Sequence, residues 1–131
     1  MLLGALLAKG RPQFELVRDD RYDSGYSVRF RMGLSHASLD FLEALERELM
    51  QQSISCTIRK TRHPNKSYSL NILKRKDLVR LAEWMRETKG AAIWLKVGKW
   101  QLFLEAIDIY KNGEHLTQEG LDKLMKMKGL I

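Results

Sequence analysis

The feature that most constrains this chain is a change of hydrophobic period that occurs twice in the same order. In "QFELVRD", Phe14 and Leu16 alternate with Gln13 and Glu15; in "SVRFRMG", Val28, Phe30 and Met32 alternate with Ser27, Arg29 and Arg31. Alternation sends every second side chain to one face of a strand, and the polar, glycine-containing "RYDSGY" between the runs predicts a β-hairpin. The period then lengthens. Leu39, Leu42, Leu45 and Leu49 recur at helical spacing in "ASLDFLEALERELMQQ", with Ser35 or Ser38 able to cap the first turn. The same succession begins again in "ISCTIRKTR", where Ile54, Cys56 and Ile58 oppose Ser55, Thr57, Arg59 and Thr61. It crosses the turn "HPNKS", continues in "SYSLNIL" with Tyr68, Leu70 and Ile72 opposing Ser69 and Asn71, and returns to helical spacing in "KDLVRLAEWMRE".

Ahead of the first strand stands "MLLGALLAKG". It has no basic region before its apolar run, which makes it a poor signal peptide, and it is far too short to span a bilayer. A short helix ended by Gly10 accounts for it better, since glycine is the usual residue just past a helix. The order is therefore αββαββα, an α+β fold in which helices cover one face of an antiparallel sheet. After the connection "GAAIWLKVG" come two more helices, "KWQLFLEAIDIYKN" and "TQEGLDKLMKMK", the last capped by Thr117 and ended by Gly129.

No linker or low-complexity segment divides the 131 residues, so residues 1–131 read as one domain. The single Cys56 excludes an internal disulfide framework, and no Cys/His set has zinc spacing. Neither a P-loop nor a Gly-rich dinucleotide fingerprint is present. His36, His63 and His115 are scattered without carboxylate or thiol partners at ligand spacing, and no metal site or cofactor is expected from them. An intracellular protein is expected, in cytoplasm, nucleoid or an organelle matrix, with no membrane partner.

The outward residues of the four strands carry the functional signal. They are Gln13, Glu15, Arg29, Arg31, Thr57, Arg59, Thr61, Ser69 and Asn71, every one a hydrogen-bonding side chain. Strands two to four contribute no acid. The chain has a formal charge of +7, which points to a polyanionic partner. Arg, Gln, Asn, Ser and Thr suit base edges and phosphates, and the DNA major groove admits β-ribbons. An ordinary solvated sheet face is the plainer alternative. Arg18 and Arg21 at the first turn, and Arg62 and Lys66 at the second, could extend the contact to phosphates.

Three stretches give the chain a resemblance to the LAGLIDADG homing endonucleases and their intron-maturase relatives. "LLGALLAKG" is similar to the signature helix, in register through Leu2, Gly4 and Gly10; "GYSVRFRMGLSH" with "LDFLEALEREL" is similar to the second strand and first covering helix; "GEHLTQEGLDKLMKMK" is similar to a C-terminal "HLT-x-EGL-x-K" segment. The resemblance implies a saddle-shaped sheet seated in the major groove of double-stranded DNA. It also implies a homodimer paired through the signature helices, here Leu3, Gly4, Leu7 and Ala8, and Mg²⁺-dependent cleavage. Gly4 and Ala8, four apart, would let two helix backbones approach closely.

The signature is broken at its two acidic positions. The position expected to hold the metal-binding acid is Lys9, and the other acidic position is Leu7. An ammonium cannot ligate Mg²⁺, which takes oxygen donors. Lys9 thus fits a phosphate contact, and Mg²⁺ is expected only if cleavage is retained by substitute ligands such as Glu15, or by a heterodimer partner that carries the acid. Lys96, or equally Lys99, falls near the family's lysine at the scissile phosphate. A DNA-binding protein without cleavage activity is the leading expectation. A maturase-like protein that binds structured intron RNA, and an active endonuclease, are the alternatives.

Overall fold

A computed structural model describes residues 3–22, 25–60, 67–88 and 98–129. The elements are α1 (Leu3–Lys9), β1 (Arg11–Arg18), β2 (Tyr26–His36), α2 (Leu39–Gln51), β3 (Thr57–Lys60), β4 (Tyr68–Ile72), α3 (Arg75–Glu87), α4 (Gly98–Lys111), a 3-10 turn (Glu114–Leu116) and α5 (Gln118–Met127). The four strands form one antiparallel sheet in the order β1-β2-β4-β3, the α+β arrangement that the repeated period predicts.

Alternation decides which face is buried. Phe14, Val28, Phe30, Met32, Leu34, Leu70 and Ile72 point to the helical side and are almost wholly buried. Against them lie Leu42, Leu45 and Leu49 of α2, Leu78, Leu81 and Met85 of α3, and Trp100, Phe103 and Ile107 of α4. Phe30 is at the centre, with ring centroids at 6.2 Å from Phe14, 6.2 Å from Phe103 and 5.6 Å from Tyr110. The last two are edge-on, as the ring quadrupole prefers.

Local chemistry sets the element ends. The Ser38 hydroxyl, not Ser35, caps α2 by accepting from the Phe41 amide at 3.2 Å. At the other end Ile54 N donates to Leu49 O and Ser53 N to Met50 O, the paired bonds of a Schellman motif. That motif requires a left-handed residue, and Ser53 occupies the position at φ 64°. In "HLTQEGL", Thr117 accepts from Gly120 N at 3.0 Å and donates to Glu114 O at 2.7 Å. Gly120 lies so close to the Glu114 backbone that no Cβ fits there.

The sheet is notched. β2 pairs with β1 from Tyr26 to Gly33 but with β4 only from Met32 to His36, so its first half presents an edge with no second paired strand among the described residues. Arg75, the first residue of α3, closes part of that edge by donating Nη2 to Val28 O at 2.7 Å.

Candidate nucleic-acid interface

The face opposite the helices is polar and ordered in rows by the strand register. Gln13 stands beside Arg31 and Glu15 beside Arg29; Arg11, Gly33, Asn71 and Thr57 form a row across all four strands, and Ser35, Ser69 and Arg59 another. Gln13, Glu15, Arg29, Arg31, Thr57 and Arg59 are exposed, while Ser69 and Asn71, on the inner strand β4, are half-buried. Arg31 Nε donates to Gln13 Oε1 at 2.8 Å, Asn71 Nδ2 to Ser69 Oγ at 3.3 Å, and Arg11 Nη2 to Ser35 Oγ at 3.4 Å. Gly33 adds no side chain at the middle of its row, leaving a polar pocket of about 210 Å³ bordered by Arg11, Gln13, Arg31, Ser35, Ser69 and Asn71. Arg11 and Ser35 belong to this face although the alternating runs alone start at Gln13 and stop at Gly33. β1 begins two residues earlier, and β2 runs on to His36. Among the described residues, Arg11, Arg29, Arg31 and Arg59 oppose the single carboxylate of Glu15 on this face, a positive field suited to a polyanion.

At the edge of the sheet, α1 shows two distinct sides. Gly4, Ala8 and Lys9 are exposed, and a Cβ at Gly4 would meet nothing within 4 Å. Leu6 and Leu7 are buried at 0% and 2% exposure. The expectation that Leu7 serves a dimer contact is therefore corrected: its side chain is part of this chain's own core. Leu3 lies in α1. The C-terminal carbonyls of α1 are tied down by α4: Trp100 Nε1 donates to Leu7 O at 2.7 Å and Lys99 Nζ to Gly10 O at 2.7 Å. Gly10 is buried against Met32 and Trp100, with no room for a Cβ beside Leu6 O.

No protein-family model and no curated protein matches the sequence. Solved structures do. The crystal structure of the homing endonuclease I-TnaI superposes with a TM-score of 0.73 at 23% identity, over 96% of this chain and 82% of that one. The archaeal intron-encoded homing endonuclease I-Vdi141I complexed with DNA gives 0.77 at 23% identity, over 96% and 76%. I-SmaMI, a LAGLIDADG homing endonuclease, bound to uncleaved DNA target in the presence of calcium, gives 0.77 at 22% identity, over 97% of this chain and 42% of that one. The fold is that of the LAGLIDADG homing endonucleases. In this LAGLIDADG-fold chain the end of α1 does not suit a divalent cation. Lys9 offers an ammonium where an oxygen ligand is needed, and the Lys99 ammonium is adjacent, bound to Gly10 O. Among the described residues no three His, Cys, Asp or Glu side chains are grouped to hold a metal ion.

The remaining candidates are distributed as follows. Arg18 ends β1 with the parity of Phe14 and Leu16, so it leaves the sheet on the helical side. It is exposed there, beside the first turn. Arg21 forms a two-point pair with Asp19, Nε to Oδ1 at 3.0 Å and Nη2 to Oδ2 at 2.7 Å, and this hydrogen bonding lowers the Asp19 carboxyl to about 2. His36 accepts from Ser38 N at 2.9 Å and stacks on Phe41 at 4.4 Å, a structural role. Cys56 lies against Glu46 at 3.8 Å, and burial together with that carboxylate pushes its thiol up to about 12. Thr61, Arg62, His63, Lys66 and Lys96 lie outside the described residues. Among the described residues no helix is long and apolar enough to cross a membrane.

Proposed function

We propose that this chain binds double-stranded DNA through the outward face of its sheet, as a homodimer joined by the Gly4–Ala8 face of α1, and that it does not cleave the DNA it binds. The observation that carries the reading is the register-ordered row of arginine and amide side chains opposite the core, with one acid among them. Two structures of the same fold are complexes with DNA. Loss of cleavage follows from Lys9: two ammonium groups brought together at a dimer axis attract phosphate and repel the cation that hydrolysis would use.

Fluorescence anisotropy with labelled duplexes across a salt series tests the first part. Each phosphate contact contributes a slope of about −0.9 in log K against log[salt], so the affinity should fall steeply. Absent or salt-insensitive binding refutes it, and tighter binding to structured intron RNA than to duplex transfers the reading to RNA. Incubation with plasmid and Mg²⁺ or Mn²⁺ should leave the DNA intact, and nicking by the unmodified protein refutes the second part. Sedimentation should find a dimer that Gly4→Leu disperses.

A further inference from the structure

The outward arginines are not equivalent. Among the described arginines of the sheet face, Arg31 alone has its Nε committed to another strand's side chain, at 2.8 Å from Gln13 Oε1. That bond fixes the plane of the guanidinium and leaves the Nη1/Nη2 end free. A guanidinium end presents two parallel donors, the pattern that matches guanine O6 and N7 in the major groove. A phosphate contact needs no such aim, because a flexible cation finds an anion from many directions. Arg29 and Arg11 sit within one row of Arg31 on the same face, so charge was already supplied there. Beside Arg31 the pocket over Gly33 admits a base edge, and a Cβ at Gly33 would press on Asn71 Oδ1 at 3.2 Å. Rows two residues apart along a strand are separated by about 6.6 Å, close to two base steps of about 3.4 Å, so a base pair facing Gln13–Arg31 is read apart from its neighbours in the next row.

We infer that Arg31, held in place by Gln13, is a specificity-determining residue that selects guanine at one fixed position of the DNA site. The inference rests on the DNA-binding reading above. The experiment is selection from a pool of randomised duplexes with the full chain, followed by affinity measurements on the enriched site and on an unrelated duplex. The unmodified protein should enrich a site with a guanine column, preferring it over other bases by roughly tenfold to a hundredfold. Arg31→Lys keeps the charge but replaces the two-donor fork with a point donor, so it should erase the guanine preference while the chain still binds duplex. Gln13→Ala should reduce that preference severalfold without altering the melting temperature, because both side chains are exposed. Failure of the unmodified protein to enrich any duplex refutes the DNA-binding reading itself. Enrichment whose base preferences are the same in Arg31→Lys overturns the assignment of Arg31 while leaving DNA binding intact.

Discussion

Replacing Gly10 by alanine tests the attachment of α1 to the rest of the chain. The added methyl would meet Leu6 O at a forbidden distance and both Met32 Sδ and Trp100 Cζ2 at 3.2 Å. None of these neighbours is a flexible chain end in open solvent; Met32 and Trp100 are 0% and 1% exposed. Space can be made only by moving the end of α1, which carries the carbonyls held by Trp100 and Lys99. Overpacking of this kind costs about 1–3 kcal/mol, and loss of one of the two hydrogen bonds adds about 1 kcal/mol. With about 2.1 cal/mol/K of unfolding entropy per residue, a chain of 131 residues loses one degree of melting temperature for each 0.28 kcal/mol or so. Gly10→Ala should therefore lower the melting temperature by about 7–14 °C in calorimetry or circular dichroism. Gly4→Ala is the matched control. It adds the same methyl in open space on an exposed helix face, so helix propensity predicts a gain of up to about 1 kcal/mol at concentrations where the chain is monomeric. A Gly10→Ala melt within about 2 °C of the unmodified protein would refute the claim that α4 clamps α1 in this geometry.

Ser53→Gly should raise stability by about 0.5–1 kcal/mol in urea titration, because it relieves a left-handed backbone at a helix end that a side chain disfavours. Gly120→Ala should undock the 3-10 turn from α5 and expose Leu121 and Leu124, seen as protease cleavage near Thr117 at temperatures where the unmodified chain is resistant. Cys56, with its thiol pushed up to about 12, should react slowly with a disulfide reagent at pH 8 and quickly once urea unfolds the chain. Burial and the Arg75 charge lower the pKa of His115 from its ordinary 6.5. The unfolded chain then takes up this proton before the folded one does, so the stabilisation is complete above 6.5 and is lost as the pH falls below it. His115→Gln should flatten the fall in melting temperature between pH 7.5 and 5.5, and an unchanged slope counts against that assignment.

The fold was legible because two signals of different period each repeat. Val28, Phe30 and Met32 could face only one side of a strand, and Leu42, Leu45 and Leu49 only one side of a helix. Element ends were harder to read. Arg11 follows Gly10 and resembles the tail of the helix, but Gly10 turns the chain at once and Arg11 opens β1. Ser35 could cap a helix or continue a strand, and pairing with Ser69 settled it as strand. Leu7 is hard to place because a heptapeptide helix has few positions from which to judge its apolar side, and Trp100, whose indole holds the Leu7 carbonyl, is 93 residues away. Neither the Lys99 bond to Gly10 nor the Gln13–Arg31 pair leaves any periodic trace, since each depends on which strands and helices meet in space.

The bonds from α4 to α1 also set an order of events. A seven-residue helix is too short to persist in water by itself, the marginal length being about 12–15 residues. Its carbonyl partners lie 89 and 93 positions further along. At a synthesis rate of about 5–20 residues per second, the N-terminal segment waits about 5–18 s on the ribosome before those partners exist. During that interval Leu6 and Leu7 can pack only on the early part of the core around β2, and the end of α1 lacks the two donors that hold its carbonyls. The final seating of α1 is therefore a late event in the life of the chain, completed only after Lys99 and Trp100 have been made.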